Sequence, residues 1–417
     1  MKKNTIIYKL DKTKILFQEP IMSGHYVWRS QGIKLVKNMY SVLNNELSFV
    51  GKVKNITCGS IIRINNYNNI YKKISNYKNV FSSTTLNYAI RPENTSILLK
   101  KLELNSSSII MINTPLYREF QPKALLIDQR IWPALSFVMS TKKSLSVNVI
   151  TKKVIPSINS FFDKILLPHL WVEQEDGFKK FANRMFLPLM SESSETITVA
   201  STMYVLSKNF PRGDNIINKE IIQYGFSGRI IYIYCIMQED KINVVWPSCI
   251  APIQVLMSKN AYIKIKDFLK NNIRYKVSID IPDIIGEEGD SFCNEVESIL
   301  TLFMKNGEIF YKVIFTNEVG KLTDFNMIQE LLRKSDRAIF ENNKRHFIKC
   351  LNNYRVEFLC KKCENVLQEF SSLGAYHPNE FSSCQRCGTM NSLKKILLPL
   401  KTRGSINEKI INKKTTI

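Results

Sequence analysis

Two short cysteine pairs near the end of the chain constrain its folding more than any other feature. Cys360-Lys-Lys-Cys363 is followed, after residues 364 to 383, by Cys384-Gln-Arg-Cys387 and then Gly388. Each C-x-x-C knuckle lets two thiolates converge on one ion, and two knuckles at this separation have the spacing of a zinc site. Tetrahedral coordination at Zn–S distances of about 2.3 Å would oblige the two knuckles to fold onto each other. Four thiolates leave no open coordination position, so the Zn²⁺ expected at Cys360, Cys363, Cys384 and Cys387 is structural rather than catalytic. Lys361, Lys362 and Arg386 would offset part of the negative charge of such a centre. Four free thiols would need this spacing by accident, and no thioredoxin-like βαβ pattern surrounds either knuckle to support a redox pair. His377 lies between the pairs and can replace one ligand, but a histidine before Pro378 reads more simply as a surface residue.

The other five of nine cysteines, Cys58, Cys235, Cys249, Cys293 and Cys350, stand singly among apolar or mixed residues. Reduced buried thiols look like this, and a disulfide framework is not expected in a chain of this size. With 417 residues there is room for two or three domains, and an apolar share of 44% supplies a core. No run of about 18 apolar residues is present to span a membrane. The opening Met-Lys-Lys-Asn-Thr-Ile-Ile-Tyr-Lys lacks the apolar stretch of a secretory signal. A cytoplasmic protein is therefore expected. The formal charge of +23 has two explanations. A nucleic-acid partner would use it through phosphate neutralisation and counterion release. Alternatively, an AT-rich coding sequence enriches Lys, Asn and Ile everywhere, and these lysines are spread along the chain rather than gathered in a stripe. The sequence leaves both open.

Residues 1 to 19 read as a basic, loosely held arm. From Gly32 to Leu47 the apolar positions recur at helical spacing. Ser60 to Ile64 and Ser108 to Ile112 read as short strands, and Val154 to Leu170 as a helix bounded by Pro156 and Pro168. Arg229 to Met237 is almost wholly apolar, and periodicity does not decide between helix and strand. Val244 to Met257, with Pro247 and Pro252, marks a link into a second domain. Beyond it, Ala261 to Asn271 reads as helix, Tyr275 to Ile279 and Ile309 to Phe315 as strands, and Phe325 to Lys334 as helix. This alternation predicts a small α/β domain. No Ser-His-Asp or Cys-His arrangement and no P-loop glycine pattern supports a hydrolase or a P-loop enzyme.

Five stretches, in order, resemble prolyl-tRNA synthetases of the archaeal and eukaryotic type, a branch of the class II aminoacyl-tRNA synthetases. Ser23-Gly-His-Tyr-Val-Trp-Arg29 is similar to the segment before the motif 1 helix. Tyr88-Ala-Ile-Arg-Pro-Glu93 resembles the loop that ends in Arg-Pro-Thr-Ser-Glu. Tyr117-Arg-Glu-Phe120, with Arg130 after it, falls where motif 2 belongs. Lys180-Phe-Ala-Asn183, Thr202 and Asn209-Phe210 follow the substrate-pocket region. Gly225-Phe-Ser-Gly-Arg229, Asp240 and Trp246-Pro-Ser-Cys-Ile-Ala-Pro-Ile-Gln-Val255 resemble motif 3 and the entry to the anticodon-binding domain. The last is the most specific, and a C-terminal cysteine module also belongs to this branch.

The resemblance implies an α/β (α+β) fold: a class II antiparallel sheet with flanking helices over residues 20–248, and a small α/β anticodon-binding domain over 249–340. A cysteine-zinc domain would occupy 341–417. It implies ATP and Mg²⁺ as participants, tRNA(Pro) and proline as partners, no membrane, and a homodimer. Activation brings two anions together, the proline carboxylate and the α-phosphate of ATP, so preorganised cations are needed. By resemblance Arg229 would hold the γ-phosphate end of ATP and Arg118 or Arg130 the α-phosphate. Glu119 would orient the adenine side, and Thr202 and Ser227 would supply hydroxyls. Glu93, Thr95 and Tyr204 would line the substrate pocket. The chain also departs from the pattern. Thr-Ser-Glu reads Glu93-Asn94-Thr95, the motif 2 arginine aligns with Tyr117 unless the register slips to Arg118, and the pocket glutamine and histidine align with Val199 and Tyr204. The motif 1 proline is missing near Cys58-Gly59, and the chain ends in Thr-Thr-Ile where family chains have tyrosine. Two functions therefore stand side by side: a proline–tRNA ligase, or a synthetase-derived tRNA-binding or accessory protein without catalysis. Bland roles exist as well, with Arg229 capping its segment, Arg118 and Glu119 an exposed pair, Asp240 a turn residue, and His25 and His169 structural.

Overall fold

The computed structural model describes residues 2–17, 26–57, 59, 61–63, 82–83, 88–90, 108–117, 131–142, 149–174, 182–192, 196–199, 201–206, 219–226, 228–241, 243–271, 276–281, 298–367, 370–376 and 379–399. The chain forms two compact units. One comprises Met1–Leu43, Phe161–Pro168 and Tyr234–Arg345; the other comprises Asn44–Ser160, His169–Ile233 and His346–Ile417.

The second unit is built on a twelve-stranded sheet. Its strands lie in the order Lys52–Ile56, Ser108–Tyr117, Ile131–Lys142, Lys219–Phe226, Ser201–Leu206, Ala182–Ser191, Leu170–Gln174, Phe370–Tyr376, Ser392–Pro399 and Arg355–Leu359. Ile197–Val199 pairs with Ala182–Ser191, and Phe381–Ser382 with Ser392–Pro399. Among the described pairings of this sheet only Lys52–Ile56 with Ser108–Tyr117 is parallel. Side chains alternate between faces along a strand. On the central strands Ser201, Met203, Val205, Ile222 and Tyr224 are buried, whereas Thr202, Tyr204, Gln223 and Gly225 are half-buried. One face is thus closed, with Phe137 and Tyr224 rings 5.3 Å apart in its core. On the other face the four half-buried residues keep partial exposure beside the buried Ser136, Val138 and Met185.

The cysteine module is part of this sheet. Phe370–Tyr376 joins it to Leu170–Gln174 through Ala375 opposite Glu173 and Tyr376 opposite Val172. At the junction Gly374 has φ +135°, and a Cβ there would meet the Glu173 carbonyl oxygen at 2.8 Å. Only glycine lets the two strands approach so closely in that conformation.

The first unit holds a five-stranded sheet in the order Val277–Ile281, Val255–Ser258, Leu300–Lys305, Glu308–Val313 and Glu318–Lys321. Val255–Ser258 runs parallel to both neighbours, and the helix Lys259–Asn271 makes the crossover to Val277–Ile281. The remaining pairings are antiparallel, the first closed by Asn306 and Gly307 at φ 51° and 77°, as a two-residue hairpin requires. Here the expected alternating α/β pattern is seen, although Leu300–Lys305 and Glu318–Lys321 were not foreseen.

Several local expectations change. The supposed arm contains the helix Lys2–Lys12, with Ile6, Ile7 and Leu10 buried. Lys9 Nζ donates to the carbonyls of Gln238 at 3.1 Å and Glu239 at 3.0 Å, just past the end of the helix Arg229–Met237. A cation is favoured at that negative end of a helix, which is why a buried lysine is tolerated there. The helix foreseen over Val154 to Leu170 instead runs Ile155–Lys164 after a π-helical turn Ile150–Val154, and Leu170 opens a strand. Leu166 at φ 55° ends it. The helix foreseen over Phe325 to Lys334 runs Met327–Leu351. The proline-rich link is tightly held: Asn38 Nδ2 donates to the Ile250 and Ala251 carbonyls at 2.9 and 3.1 Å, and the Ser248 amide donates to Asp336 Oδ1 at 2.8 Å.

Candidate functional site

The partly exposed face of the large sheet brings together residues from four strands. Thr202 lies opposite Gly225, and Gly225 opposite Ser136, so these three share one transverse row. The next row reads Met185, Tyr204, Gln223 and Val138. Directly paired residues of antiparallel strands point to the same side, so both rows belong to this face.

Lys219–Phe226 then turns at Gly228, whose carbonyl accepts from the Ile231 amide at 3.0 Å, and the chain enters Arg229–Met237. The run is helical, and its burial on nearly every side explains why it lacked a legible period. Arg229 is the first helical residue. Its Nη1 donates to the Val199 carbonyl at 3.1 Å, which ties it to the short strand Ile197–Val199. A guanidinium held in one place presents a planar fork of donors suited to phosphate oxygens.

Of the expected site residues, the structure describes Arg229, Thr202, Tyr204 and the four cysteines. Arg118, Glu119, Arg130, Ser227, Glu93 and Thr95 lie outside the described residues, as do Cys58, His25 and His377. Thr202 and Tyr204 share the partly exposed face, two residues apart. Tyr204 also packs against a buried cluster that includes Val172, Met185, Leu187, Cys350 and Tyr354. In that cluster the Tyr354 hydroxyl accepts from the Ile197 amide at 2.9 Å. Asp240 lies in a turn. His169 has a structural place: its Nε2 lies 2.9 Å from Asn159 Oδ1, and its ring meets Trp171 edge-on. Cys235 and Cys350 are buried free thiols, as expected. Ser136 and Gln223 share this face but were not singled out by the sequence. Each has a buried side-chain oxygen without a hydrogen-bond partner among the described residues. The period-two alternation around Gly225 is the signal that places Gln223 on the same face as Gly225.

The cysteine centre is assembled as the spacing predicted. The four sulfurs lie within 4.8 Å of one another, and Cys360 and Cys387 are 3.6 Å apart. A tetrahedron with Zn–S bonds of about 2.3 Å has edges of about 3.8 Å, so the donor set fits zinc. Cys360 caps the helix Lys361–Asn365, its sulfur accepting from the Cys363 amide at 3.4 Å. In the second knuckle Gly388 adopts φ 74°, and its amide donates to the Cys384 carbonyl at 2.8 Å. Burial opposes ionisation of Cys384, but backbone hydrogen bonds from Cys360, Arg386 and Cys387 bring the thiol down to about 6, while hydrogen bonds to Cys387 and Cys360 push Cys363 up to about 12. Thiolate is the form a metal takes. Arg386, expected to offset the thiolate charge, instead pairs with the buried Glu357 at 3.2 Å.

Among the described residues this is the only grouping of three or more potential metal ligands. No described helix is long and apolar enough to cross a membrane.

No protein-family model matches the sequence, and no curated protein matches it. Among solved structures the chain is similar to Giardia lamblia prolyl-tRNA synthetase in complex with prolyl-adenylate, with a TM-score of 0.76 and 14% identity, over 95% of this chain and 98% of that one. At this identity the likeness is one of fold. The chain has a synthetase fold: a large, mostly antiparallel sheet with flanking helices, and near its C-terminus a cysteine cluster able to hold zinc.

Proposed function

We propose that the chain is an aminoacyl-tRNA ligase that activates proline with ATP and transfers it to the 3′ end of tRNA(Pro). The observation that carries this reading is the placement of Arg229. It stands at the start of the helix that follows a central strand, tied to Val199 beside the row of Thr202, Gly225 and Ser136. A structural neighbour of this fold is a prolyl-tRNA synthetase in complex with prolyl-adenylate.

In this reading Arg229 stabilises the charge that builds on the polyphosphate as the carboxylate attacks the α-phosphate. Arg118 or Arg130 neutralises the α-phosphate and Glu119 orients the adenine. Thr202 and Ser227 supply hydroxyls, while Glu93, Thr95 and Tyr204 line the amino-acid pocket. Mg²⁺ accompanies the ATP phosphates, and Zn²⁺ on the four cysteines is structural. The functional division into a catalytic core over 20–248, an anticodon-binding domain over 249–340 and a zinc domain over 341–417 belongs to the same proposal, as do cytoplasmic residence and a homodimer.

The second reading is a tRNA-binding or accessory protein without catalysis. It is favoured by Tyr204, which packs into an apolar cluster where the family pattern has a polar pocket residue. Proline-dependent ATP–pyrophosphate exchange separates the two. Arg229→Ala should abolish exchange while leaving the fold intact, since removing one preorganised charge-stabilising donor typically loses about 3 kcal/mol, roughly a hundredfold in rate. No exchange with any amino acid would favour the accessory protein. Exchange that survives Arg229→Ala would remove Arg229 from the mechanism.

A further inference from the structure

We infer that the exposed face of the helix Met327–Leu351 holds the phosphate backbone of RNA through a line of three cations, Arg333, Arg337 and Lys344. The inference rests on the tRNA partner proposed above, though not on catalysis, and it names a surface which that partner meets.

The line follows from helix geometry. At 3.6 residues per turn, Arg333, Arg337 and Lys344 fall within an arc of about 40° and span about 16 Å. All three side chains are exposed, whereas Ile328, Leu332 and Ile339 bury the opposite side. An ordinary solvated helix face neutralises such charges with acids three or four residues away. Glu330 and Glu341 stand at those spacings, yet no ion pair among the described residues takes up Arg333 or Arg337. Lys334 does pair, with Glu318 at 2.6 Å, and so lies outside the line. The Lys344 ammonium sits 5.9 Å from the Phe340 ring, a contact that leaves its charge uncancelled. Coding bias toward lysine accounts for the exposed Lys259, Lys266 and Lys270 of the helix Lys259–Asn271, but it does not select arginine. The negative end of a helix favours Lys349 in the last turn, but Arg333 and Arg337 lie several turns upstream.

The chemistry of the partner follows from what the face offers and what it lacks. A guanidinium presents a planar fork matched to phosphate oxygens, and a lysine adds a point charge. A membrane surface would need an apolar face beside the cations, and the apolar face of this helix is buried. A protein interface would need an apolar core inside its polar rim. From Arg333 to Lys344 the exposed positions are Arg333, Lys334, Arg337, Glu341 and Lys344, all charged, and none carries a ring for stacking on bases. The contact is therefore to backbone and independent of base sequence. A line of about 16 Å meets several consecutive phosphates of one strand.

The test measures binding of a fluorescent tRNA transcript to the full chain over a series of salt concentrations. Each lost phosphate contact should lower the slope of log affinity against log salt by about 1. Arg333→Gln with Arg337→Gln should therefore lower it by about 2 and weaken binding at low salt roughly tenfold or more. Lys259→Gln with Lys266→Gln removes the same charge from exposed lysines of the same unit and should leave the slope nearly unchanged. Thermal unfolding should be unaltered in both, because all four side chains are exposed. Should the arginine pair unfold the chain, Arg337→Gln alone reads the same slope, lowered by about 1. An equal loss of slope in the lysine pair assigns binding to diffuse charge and overturns the inference. A slope unchanged by the arginine substitutions overturns it too and leaves the tRNA partner standing. A wild type that binds no RNA overturns both. Polyglutamate bound more tightly than tRNA, and lost in the arginine variant, would give the line to an acidic protein instead.

Discussion

Tyr354→Phe removes one oxygen and should be felt at two distances. The Tyr354 hydroxyl accepts from the Ile197 amide at 2.9 Å, and both residues are buried. Phenylalanine fills nearly the same volume, so the packing of Tyr354 against Met185, Leu187 and Leu373 is kept and the change isolates the hydrogen bond. The amide is left buried without an acceptor, which costs about 1–3 kcal/mol. The affected strand is only Ile197–Val199, paired to Ala182–Ser191 over three positions, so it has few other contacts through which to share the loss. Amide hydrogen exchange over residues 196–199 should accelerate roughly five- to a hundredfold, with little change in the sheet interior around Ile222 and Tyr224. Val199 at the end of this strand holds the Arg229 guanidinium. On the ligase proposal, adenylation should therefore weaken as well, by less than in Arg229→Ala, because the arginine is loosened rather than lost. Unchanged exchange over 196–199 would refute the reasoning at its first step. Lost activity without local loosening would mean that Tyr354 acts on the site by another route.

Gly32→Ala should destabilise the first unit. A Cβ there would meet the Ile15 carbonyl oxygen at 2.3 Å, and overpacking of about 1–3 kcal/mol outweighs a helix-propensity gain of about 1 kcal/mol; denaturant unfolding that shows stabilisation would contradict the observed approach. Purified protein should carry one zinc per chain, and Cys384→Ser should lower the metal content and loosen Arg355–Leu359, Ser392–Pro399 and Phe370–Tyr376, seen by metal analysis and hydrogen exchange, because structural zinc is coupled to local folding. Metal-free protein with an unchanged C-terminal segment would rule this out. If the charge of +23 serves tRNA, binding should weaken steeply and linearly on a log–log salt plot; affinity flat in salt would assign the charge to coding bias.

What the sequence revealed followed from how each element is buried. Ser30–Ser48 and Lys259–Asn271 have one apolar face, so their helical period was readable. Met327–Leu351 was cut short in the reading because its buried face includes Ser335, Asn342 and Asn343. Asn342 and Asn343 are paid for by backbone carbonyls, those of Met237 at 2.7 Å and Leu166 at 2.9 Å, and no periodicity argument can see a partner so distant in sequence. The N-terminal helix was hidden by its lysines, although Ile6, Ile7 and Leu10 lay at the right spacing and Lys9 was itself buried for a reason. The zinc centre was legible because four ligands and their spacing are local facts. The row of Thr202, Gly225 and Ser136 was not, because these residues are neighbours only through strand register.

A chain can diverge far in sequence and keep such a row of residues in place. The described part of the candidate site is placed by backbone: Thr202, Gly225 and Ser136 by the pairing of three strands, and Arg229 by the turn from a strand into a helix. Register depends on which face is buried, not on which apolar residue buries it. Ile222 and Tyr224 can therefore be exchanged for other large apolar residues with the site unmoved, whereas a shift by one position would turn Thr202, Tyr204 and Gln223 into the closed core and bring Met203 and Tyr224 to the surface. Buried apolar area on one face thus protects the geometry of the polar groups on the other. Sequence similarity measures the identities that are free to change, which explains how a fold match can span nearly the whole chain when no family model matches.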